Sequence, residues 1–341
     1  MQENEKPVGW AVVGIGSLTL NQILPGFSQC SRSKLVALVS GSPDKAKKTA
    51  ERYGLSERAI YDYKGFDKIK DNPEIEAVYI VLPNGMHAEY TIRAARAGKH
   101  VLCEKPMANT VKECVQMIAA CQQARVKLAV AYRCRYEPYN VAAIAACRDP
   151  RLGKIKSVIA DHGFNIGDPK QWRLNRKLAG GGSLMDIGIY SLNAARYLTG
   201  EEVASVTAQE FTDRSDPRFK EVEDMLHFTL KFPSGALANC TSSYGYRGAN
   251  RYRVIGERGF VDMEPATSYT NLKLKVRLGS TSEEPELPRT SHFALQMDHF
   301  SRCVRENRTP LTPGEEGLAD LRVIEAIYKA AKTGKTISLR S

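Results

Sequence analysis

Trp10-Ala11-Val12-Val13-Gly14-Ile15-Gly16-Ser17-Leu18-Thr19 is the stretch on which the fold turns. An apolar, β-branched run meets two glycines spaced one residue apart, so a strand is expected to turn sharply into a helix. Gly14 permits the tight turn. Gly16 lets the backbone approach a pyrophosphate, whose charge is held by amides at the helix N-terminus. This is a dinucleotide-binding signature in which Thr19 stands where a third glycine is usual. Alone it is a weak match, and the sequence around it supplies the context.

Downstream, segments 35–40, 77–82, 100–103 and 127–132 repeat the apolar character of 8–13 and read as strands. Helical patterns lie between them at 43–53, with Ser42 as N-cap, and at 86–97, closed by Gly98. Alternating strands and helices are the rhythm of a doubly wound parallel sheet, with helix starts facing the ligand crevice. After Tyr139 the pattern changes. A helix at 141–147 is followed by strand-like segments at 155–161, 204–211, 225–232, 236–244 and 251–257, with turns at Pro233-Ser234-Gly235 and Gly256-Glu257-Arg258-Gly259. The expected class is α/β plus α+β: an N-terminal Rossmann sheet over 1–132, then an open, mainly antiparallel sheet with helices on one face over 133–341. The last helix, 315–333, carries Leu318, Leu321, Ile324, Ile327 and Tyr328 and is expected to pack back on the first domain.

Composition agrees with two globular domains, since 341 residues exceed the length at which one core stops growing. No apolar run approaches the ~20 residues of a membrane span. The polar opening Met1-Gln2-Glu3-Asn4-Glu5-Lys6-Pro7 lacks the regions of a signal peptide, so a soluble, cytoplasmic protein is expected, although a signal already removed would leave no trace. The 49 Lys+Arg against 38 Asp+Glu give a formal +11, but the basic residues are scattered. No zinc-finger, helix-turn-helix or aromatic RNA-reading motif accompanies them, which argues against a nucleic-acid partner. The eight cysteines form no CxxC pair or Cys/His spacing, so reduced, buried thiols and no metal are expected.

The end of the second strand chooses between nicotinamide cofactors, because an acid there would bind the ribose hydroxyls of NAD and repel a 2′-phosphate. Here Val39-Ser40-Gly41-Ser42-Pro43-Asp44-Lys45 offers hydroxyls, amides at a helix start and the charge of Lys45. NADP is therefore expected, with Gly14, Gly16, Ser17, Leu18, Ser40, Gly41, Ser42 and Lys45 as its contacts; Ser42 as a mere cap and Lys45 as a solvated charge are the compatible plainer reading. Leu82-Pro83-Asn84-Gly85-Met86-His87 follows a strand; Leu82 and Asn84 are placed on the nicotinamide side, with His87 as a positioning residue.

Two segments suggest chemistry. Lys105, in Glu104-Lys105-Pro106, directly follows a strand and is expected to project into the crevice, with proline stiffening the exit. Glu104 either binds cofactor or braces the lysine. Farther on, Gly180-Gly181-Gly182-Ser183-Leu184-Met185-Asp186-Ile187-Gly188-Ile189-Tyr190 reads as a flexible glycine entrance, an N-cap at Ser183 and a helix to Leu198. Asp186 lies near the positive helix end and Tyr190 one turn on. Oxidising an alcohol removes a hydride from carbon and a proton from oxygen. A phenol with an unperturbed pKa near ~10 becomes a useful acid/base when an ammonium lowers it, so Tyr190 with Lys105 suits that role and Asp186 suits orienting a hydroxyl or the lysine. A packed helical aromatic and a surface lysine are the alternatives.

On these segments the chain resembles the glucose-fructose oxidoreductase and myo-inositol dehydrogenase family, whose pattern joins a cofactor-binding first domain, a Glu-Lys-Pro segment and an Asp-x-Gly-x-His/Tyr helix. The likeness spans nearly the entire chain. Tyr190 stands where many members carry histidine, as it does in the glucose-fructose oxidoreductase branch. Leu20-Asn21-Gln22-Ile23-Leu24-Pro25-Gly26-Phe27, Gln171-Trp172-Arg173 and Pro313-Gly314-Glu315-Glu316-Gly317 look like that branch too. The resemblance implies a tightly held NADP, reduced as an aldose becomes an aldonolactone and reoxidised as a second sugar, aldose or ketose, becomes an alditol. It implies Lys105 and Tyr190 as acid/base pair, Asp186 as substrate carboxylate, Arg133, Trp172 and Arg173 as cofactor or sugar contacts, and Tyr269 reaching the pocket. A homodimer or larger homo-oligomer through the open sheet is also implied. The segment Asp161-His162-Gly163-Phe164-Asn165-Ile166-Gly167 departs from the glucose-fructose enzyme, which favours an aldose in both half-reactions. A conventional aldose dehydrogenase exchanging NADP and a non-catalytic NADP-binding regulator are the competing readings.

Overall fold

The computed structural model describes residues 6–339, so residues 1–5 of the polar opening lie outside it. The chain forms two compact units. One runs up to Tyr136 and takes in Thr290–Leu318; the other comprises Glu137–Arg289 and the chain from Ala319 onward.

The first unit is built on a six-stranded sheet: β1 (Val8–Val13), β2 (Ser33–Val39), β3 (Ile60–Tyr61), β4 (Ala77–Ile80), β5 (His100–Cys103) and β6 (Leu128–Val130). All pairs are parallel, in the order β3-β2-β1-β4-β5-β6. The expected doubly wound sheet is present, and its order reverses between β1 and β4, the place where such sheets bind ligands. Burial on both faces explains the unbroken apolar runs: every residue of β1 and β4 is buried. Helices Pro43–Arg52 and His87–Arg96 lie where expected, and Gly98 takes φ 70° just past the second. The two-residue β3 was too short to register in the sequence. Two further helices were also not foreseen, Val111–Gln123 and His292–Arg305. The first is capped by Thr110, whose Oγ1 accepts from Glu113 N at 3.2 Å, while Glu113 Oε2 accepts from Asn109 N, just before the cap, at 3.1 Å.

The second unit holds a nine-stranded sheet: β7 (Ile155–Gly163), β8 (Ser205–Phe211), β9 (Met225–Lys231), β10 (Leu237–Ser243), β11 (Ala249–Gly256), β12 (Gly259–Met263), β13 (Leu274–Leu278), β14 (Thr281–Glu283) and β15 (Ile337–Ser338). Their order is β14-β13-β12-β11-β7-β10-β9-β8-β15. The sheet is mainly antiparallel as expected, with one parallel pair, β7 with β10. Val158 and Ala160 of β7, Ala238 and Cys240 of β10, and Tyr252 and Val254 of β11 are buried, while Ile159, Leu237 and Ile255 between them are exposed. That alternation marks one covered face and one open face. The helices Pro138–Arg148 and Ile189–Thr199 belong to this unit.

Helix Gly314–Thr333 runs through the boundary at Leu318, and most of it belongs to the second unit. There Asp320 is fully buried and accepts from Arg196 Nη1 at 2.6 Å and from Asn193 Nδ2 at 3.0 Å. No helix among the described residues is long and apolar enough to cross a membrane.

Candidate functional site

Gly14 follows β1 with φ 97°, and a Cβ there would lie 2.2 Å from the Val81 carbonyl oxygen, so only glycine fits. At Gly16 a Cβ would meet nothing within 4 Å. The backbone here borders open space, as a pyrophosphate cradle requires. Residues 17–29 follow as a helical stretch that opens with a π-helical turn over Thr19–Ile23. Thr19, standing for the third glycine, is buried and donates its hydroxyl to Gly14 O at 2.7 Å, locking the turn from within.

Beyond β2, Ser40 is buried, and its Oγ accepts from Ser42 N at 3.1 Å. Gly41, Ser42 and Lys45 are exposed. Ser42 takes the expected N-cap position, yet its side chain makes no capping bond to the helix Pro43–Arg52. The loop therefore presents hydroxyls, helix-start amides and one lysine to solvent, with no acid at the strand end. Together with the open backbone at Gly16, this donor set fits a dinucleotide carrying a 2′-phosphate.

Leu82, Asn84 and His87 are buried after β4. The His87 ring spans two carbonyls, Leu82 O at 2.8 Å from Nε2 and Pro106 O at 2.9 Å from Nδ1, tying the exit of β4 to the exit of β5. Burial lowers its pKa, an effect opposed by its hydrogen bonds to the backbone at Leu82, Pro106 and Met107. Glu104 is also buried: Oε1 accepts from Tyr79 OH at 2.7 Å and Oε2 from Lys105 N at 3.3 Å. It braces the lysine segment through the backbone. Burial raises its pKa, an effect opposed by the Tyr79 hydrogen bond and the charges of Lys105 and Arg133. Lys105 itself is half-buried. Arg133 is buried and donates from Nη1 to His292 Nδ1 at 3.1 Å. Burial first, then Arg133, pushes the His292 pKa down to about 3.

In the second unit the glycine run is not a flexible entrance. A Cβ on Gly181 would lie 2.0 Å from the Tyr328 hydroxyl, and one on Gly182 would lie 2.0 Å from Glu223 O. These two glycines are there because the chain is packed too closely for side chains, while Gly180 takes φ 79° at the C-terminus of the short helix Arg176–Ala179. Ser183 is not an N-cap either. It has helical dihedrals, φ −58° and ψ −34°, and its buried hydroxyl meets Ser242 Oγ at 3.0 Å. The turn is capped from a distance: Glu223 accepts from Gly182 N at 2.8 Å, Leu184 N at 3.1 Å and Tyr328 OH at 2.9 Å. The chain then makes a π-helical turn, Leu184–Gly188, before the α-helix Ile189–Thr199.

The π-turn carries Asp186. Its Oδ2 accepts from Arg173 Nε at 2.9 Å and from Tyr244 OH at 3.1 Å. Trp172 lies under the Arg173 guanidinium, 4.6 Å from its ring centre. Asp186 is the first of the causes that raise the Arg173 pKa, and Tyr269, 45% exposed on the loop after β12, is the last. The structure thus gathers Asp186, Trp172 and Arg173, with Tyr269 in electrostatic reach. Tyr190 is half-buried, one turn beyond, stacked on His162 with ring centres 5.9 Å apart.

Sequence reasoning missed Tyr244, Glu223 and His162. The only available signal was a polar or aromatic residue at a strand end, and nothing in one chain's periodicity tells which ends converge. Among the described residues no group of His, Cys, Asp or Glu could hold a metal ion. All eight cysteines are free thiols.

Residues 8–132 match the GFO/IDH/MocA profile described as an oxidoreductase family with an NAD-binding Rossmann fold, and residues 147–339 match its C-terminal alpha/beta domain. The chain is 32% identical to the D-xylose 1-dehydrogenase [NADP(+)] of Haloarcula marismortui, over 98% of this chain and 94% of that protein. It is 29% identical to D-xylose 1-dehydrogenase (NADP(+)) 2 of Haloferax volcanii, over 97% and 99%. The crystal structure of the aldose-aldose oxidoreductase from Caulobacter crescentus superposes with a TM-score of 0.96 at 54% identity, covering 98% of this chain and 100% of that one.

Proposed function

The chain belongs to the GFO/IDH/MocA oxidoreductase family, and on that premise we propose that this NADP-dependent sugar oxidoreductase works on two aldoses in turn without releasing its cofactor. NADP would supply the hydride acceptor and donor: one aldose is oxidised at C1 to its aldonolactone, and a second is reduced to its alditol. The observation carrying this reading is the 54% identity to the Caulobacter crescentus enzyme along essentially the whole of both chains.

Each residue has a stated task. Backbone amides at Gly16, Ser17 and Leu18 bind the pyrophosphate, and Ser40, Gly41, Ser42 and Lys45 bind the 2′-phosphate. Leu82, Asn84 and Glu104 shape the nicotinamide side, His87 and Glu104 hold the Lys105 segment, and Arg133 contacts cofactor or sugar. Tyr190 Oη takes the proton from the sugar hydroxyl in oxidation and returns one in reduction, with the Lys105 ammonium favouring its phenolate. Asp186, with its Oδ2 fixed by Arg173 and Tyr244, accepts a hydrogen bond from a sugar hydroxyl. Trp172 offers an apolar face to the sugar ring, and Tyr269 closes the pocket edge.

We assign the open sheet face as the homodimer surface, because Leu237, Ser157 and Ile255 form one cross-strand row and Asn239, Ile159 and Arg253 the next. Three exposed isoleucine and leucine side chains there make an apolar stripe. Eight free thiols support a reducing, cytoplasmic location.

The test is a sugar panel on protein as purified, without added cofactor, with lactone and alditol identified. Bound nicotinamide absorbance and equal yields of the two products are expected. Cofactor lost on desalting, with turnover only when NADP is supplied, would instead establish a conventional dehydrogenase, the reading its D-xylose dehydrogenase relatives favour.

A further inference from the structure

Along β7 the residues facing the helices are Val158, Ala160 and His162, all fully buried, and only the last is polar. It lies opposite Ser242 of β10 and Asn250 of β11. A histidine in such a row needs a reason, since a buried polar ring costs free energy without partners.

Two of its contacts fall on consecutive residues of one helix. The imidazole stacks on Tyr190 with an interplanar angle of 29°, and Nδ1 lies 2.8 Å from Ser191 Oγ. Ser191 Oγ also lies 3.3 Å from Ala160 O and 3.4 Å from Thr241 O. The serine hydroxyl therefore sits between the imidazole nitrogen and two carbonyls, and it ties the ring to the backbone of β7 and β10 whichever nitrogen of the imidazole carries the proton. The ring's plane is set by Ser191, and its face is turned to the Tyr190 ring.

We propose that His162 is a positioning residue for Tyr190, holding the phenol by stacking while Ser191 holds the imidazole. This rests on the acid/base reading of Tyr190. Proton transfer demands placement of the phenolic oxygen within hydrogen-bond reach of the sugar hydroxyl, and a shift of about 1 Å costs about 100-fold in rate. A ring free to rotate about its side-chain torsions loses part of that placement.

The experiment compares His162→Asn, which keeps a polar partner for Ser191 but no ring, with His162→Phe, which keeps a ring but no polar partner. Ser191→Ala joins them, and Tyr190→Phe is the control. For each, kcat and KM are measured on the holoenzyme alongside thermal midpoint and NADP content. The expected result is a loss of kcat of about tenfold or more in His162→Asn, with KM within about threefold. His162→Phe should recover most of that loss at equal or lower thermal stability, and Ser191→Ala should fall between them. A purely structural role predicts that kcat follows the thermal midpoint; kcat in His162→Phe as low as in His162→Asn, or full activity in His162→Asn, overturns the proposal. The parent reading fails separately: an active Tyr190→Phe removes the acid/base role, whereas an inactive Tyr190→Phe beside a fully active His162→Asn removes only the positioning role.

Discussion

Tyr244→Phe isolates one hydrogen bond in the proposed sugar site. The Tyr244 side chain is fully buried, and its hydroxyl donates to Asp186 Oδ2 at 3.1 Å. Phenylalanine keeps the ring and the edge-on contact with Phe164, whose centre is 5.5 Å away, so packing is conserved and only the donor disappears. A hydrogen bond to a charged group contributes about 1.5–3 kcal/mol. At 3.1 Å this one is longer than the ~2.5–2.7 Å of a strong O–H···O⁻ bond, which points to the lower end. Arg173 Nε remains on the same oxygen, so the carboxylate keeps one anchor. About 1.5 kcal/mol corresponds to roughly tenfold in kcat/KM for the aldose, with NADP content unchanged. Burial, followed by the Asp186 charge, raises the Tyr244 pKa well above its ordinary value, so the phenol stays a donor over the accessible range. The ratio of variant to parent kcat/KM should therefore be flat with pH. The measurement is steady-state oxidation of a saturable aldose between about pH 6 and 9, with parent and variant in parallel. A ratio within twofold of unity would refute the assignment of Asp186 as a carboxylate whose orientation matters; a ratio that changes with pH would refute the permanent donor.

Other consequences follow from the same contacts. Gly14→Ala forces a Cβ against Val81 O at φ 97° and should lower the thermal midpoint and abolish NADP binding together; Gly16→Ala meets nothing and should weaken NADP binding at nearly parental stability, read by calorimetry of both variants. Ser40→Asp places an acid at the end of β2, and titration should show NADP affinity falling at least about tenfold while NAD affinity falls less. Glu223→Ala strips the partner from Gly182 N, Leu184 N and Tyr328 OH. That should cost about 3 kcal/mol in denaturant unfolding, since buried donors are left unpaired. The folded His292 pKa of about 3 lies below its unfolded value of 6.5, so the unfolded chain binds the extra proton. Stability from this group is complete above about pH 6.5 and is lost as pH falls toward 3, by up to several kcal/mol. His292→Gln should flatten the acid limb of the thermal-midpoint curve, and an unchanged limb would exclude His292 as its source.

Much of the first unit was written locally. Gly14 and Gly16 sit at their turn because an apolar run must end there, and the missing acid after Val39 shows in a single position. The second unit is different. The glycine run 180–182 reads as freedom, but Gly181 and Gly182 are crowded, because the clashing atoms belong to Tyr328 and Glu223, remote in sequence. Ser183 looked like a cap, but a carboxylate forty residues on had taken that work, which no local pattern reveals.

Sequence alone determined the parallel sheet and the glycine turn after β1, and it singled out the 40–45 loop, Lys105, Asp186 and Tyr190 as candidates, because each of these signals lies in residues close together along the chain. Tertiary structure decided what holds those side chains: Arg173 and Tyr244 on Asp186, and His162 and Ser191 behind Tyr190. Ser191 is Tyr190's neighbour on its own helix, but His162 arrives from β7, Tyr244 from the end of β10 and Arg173 from the segment before the π-turn. Strand register brings them together, and register is set by pairing between distant segments rather than by any short stretch of sequence.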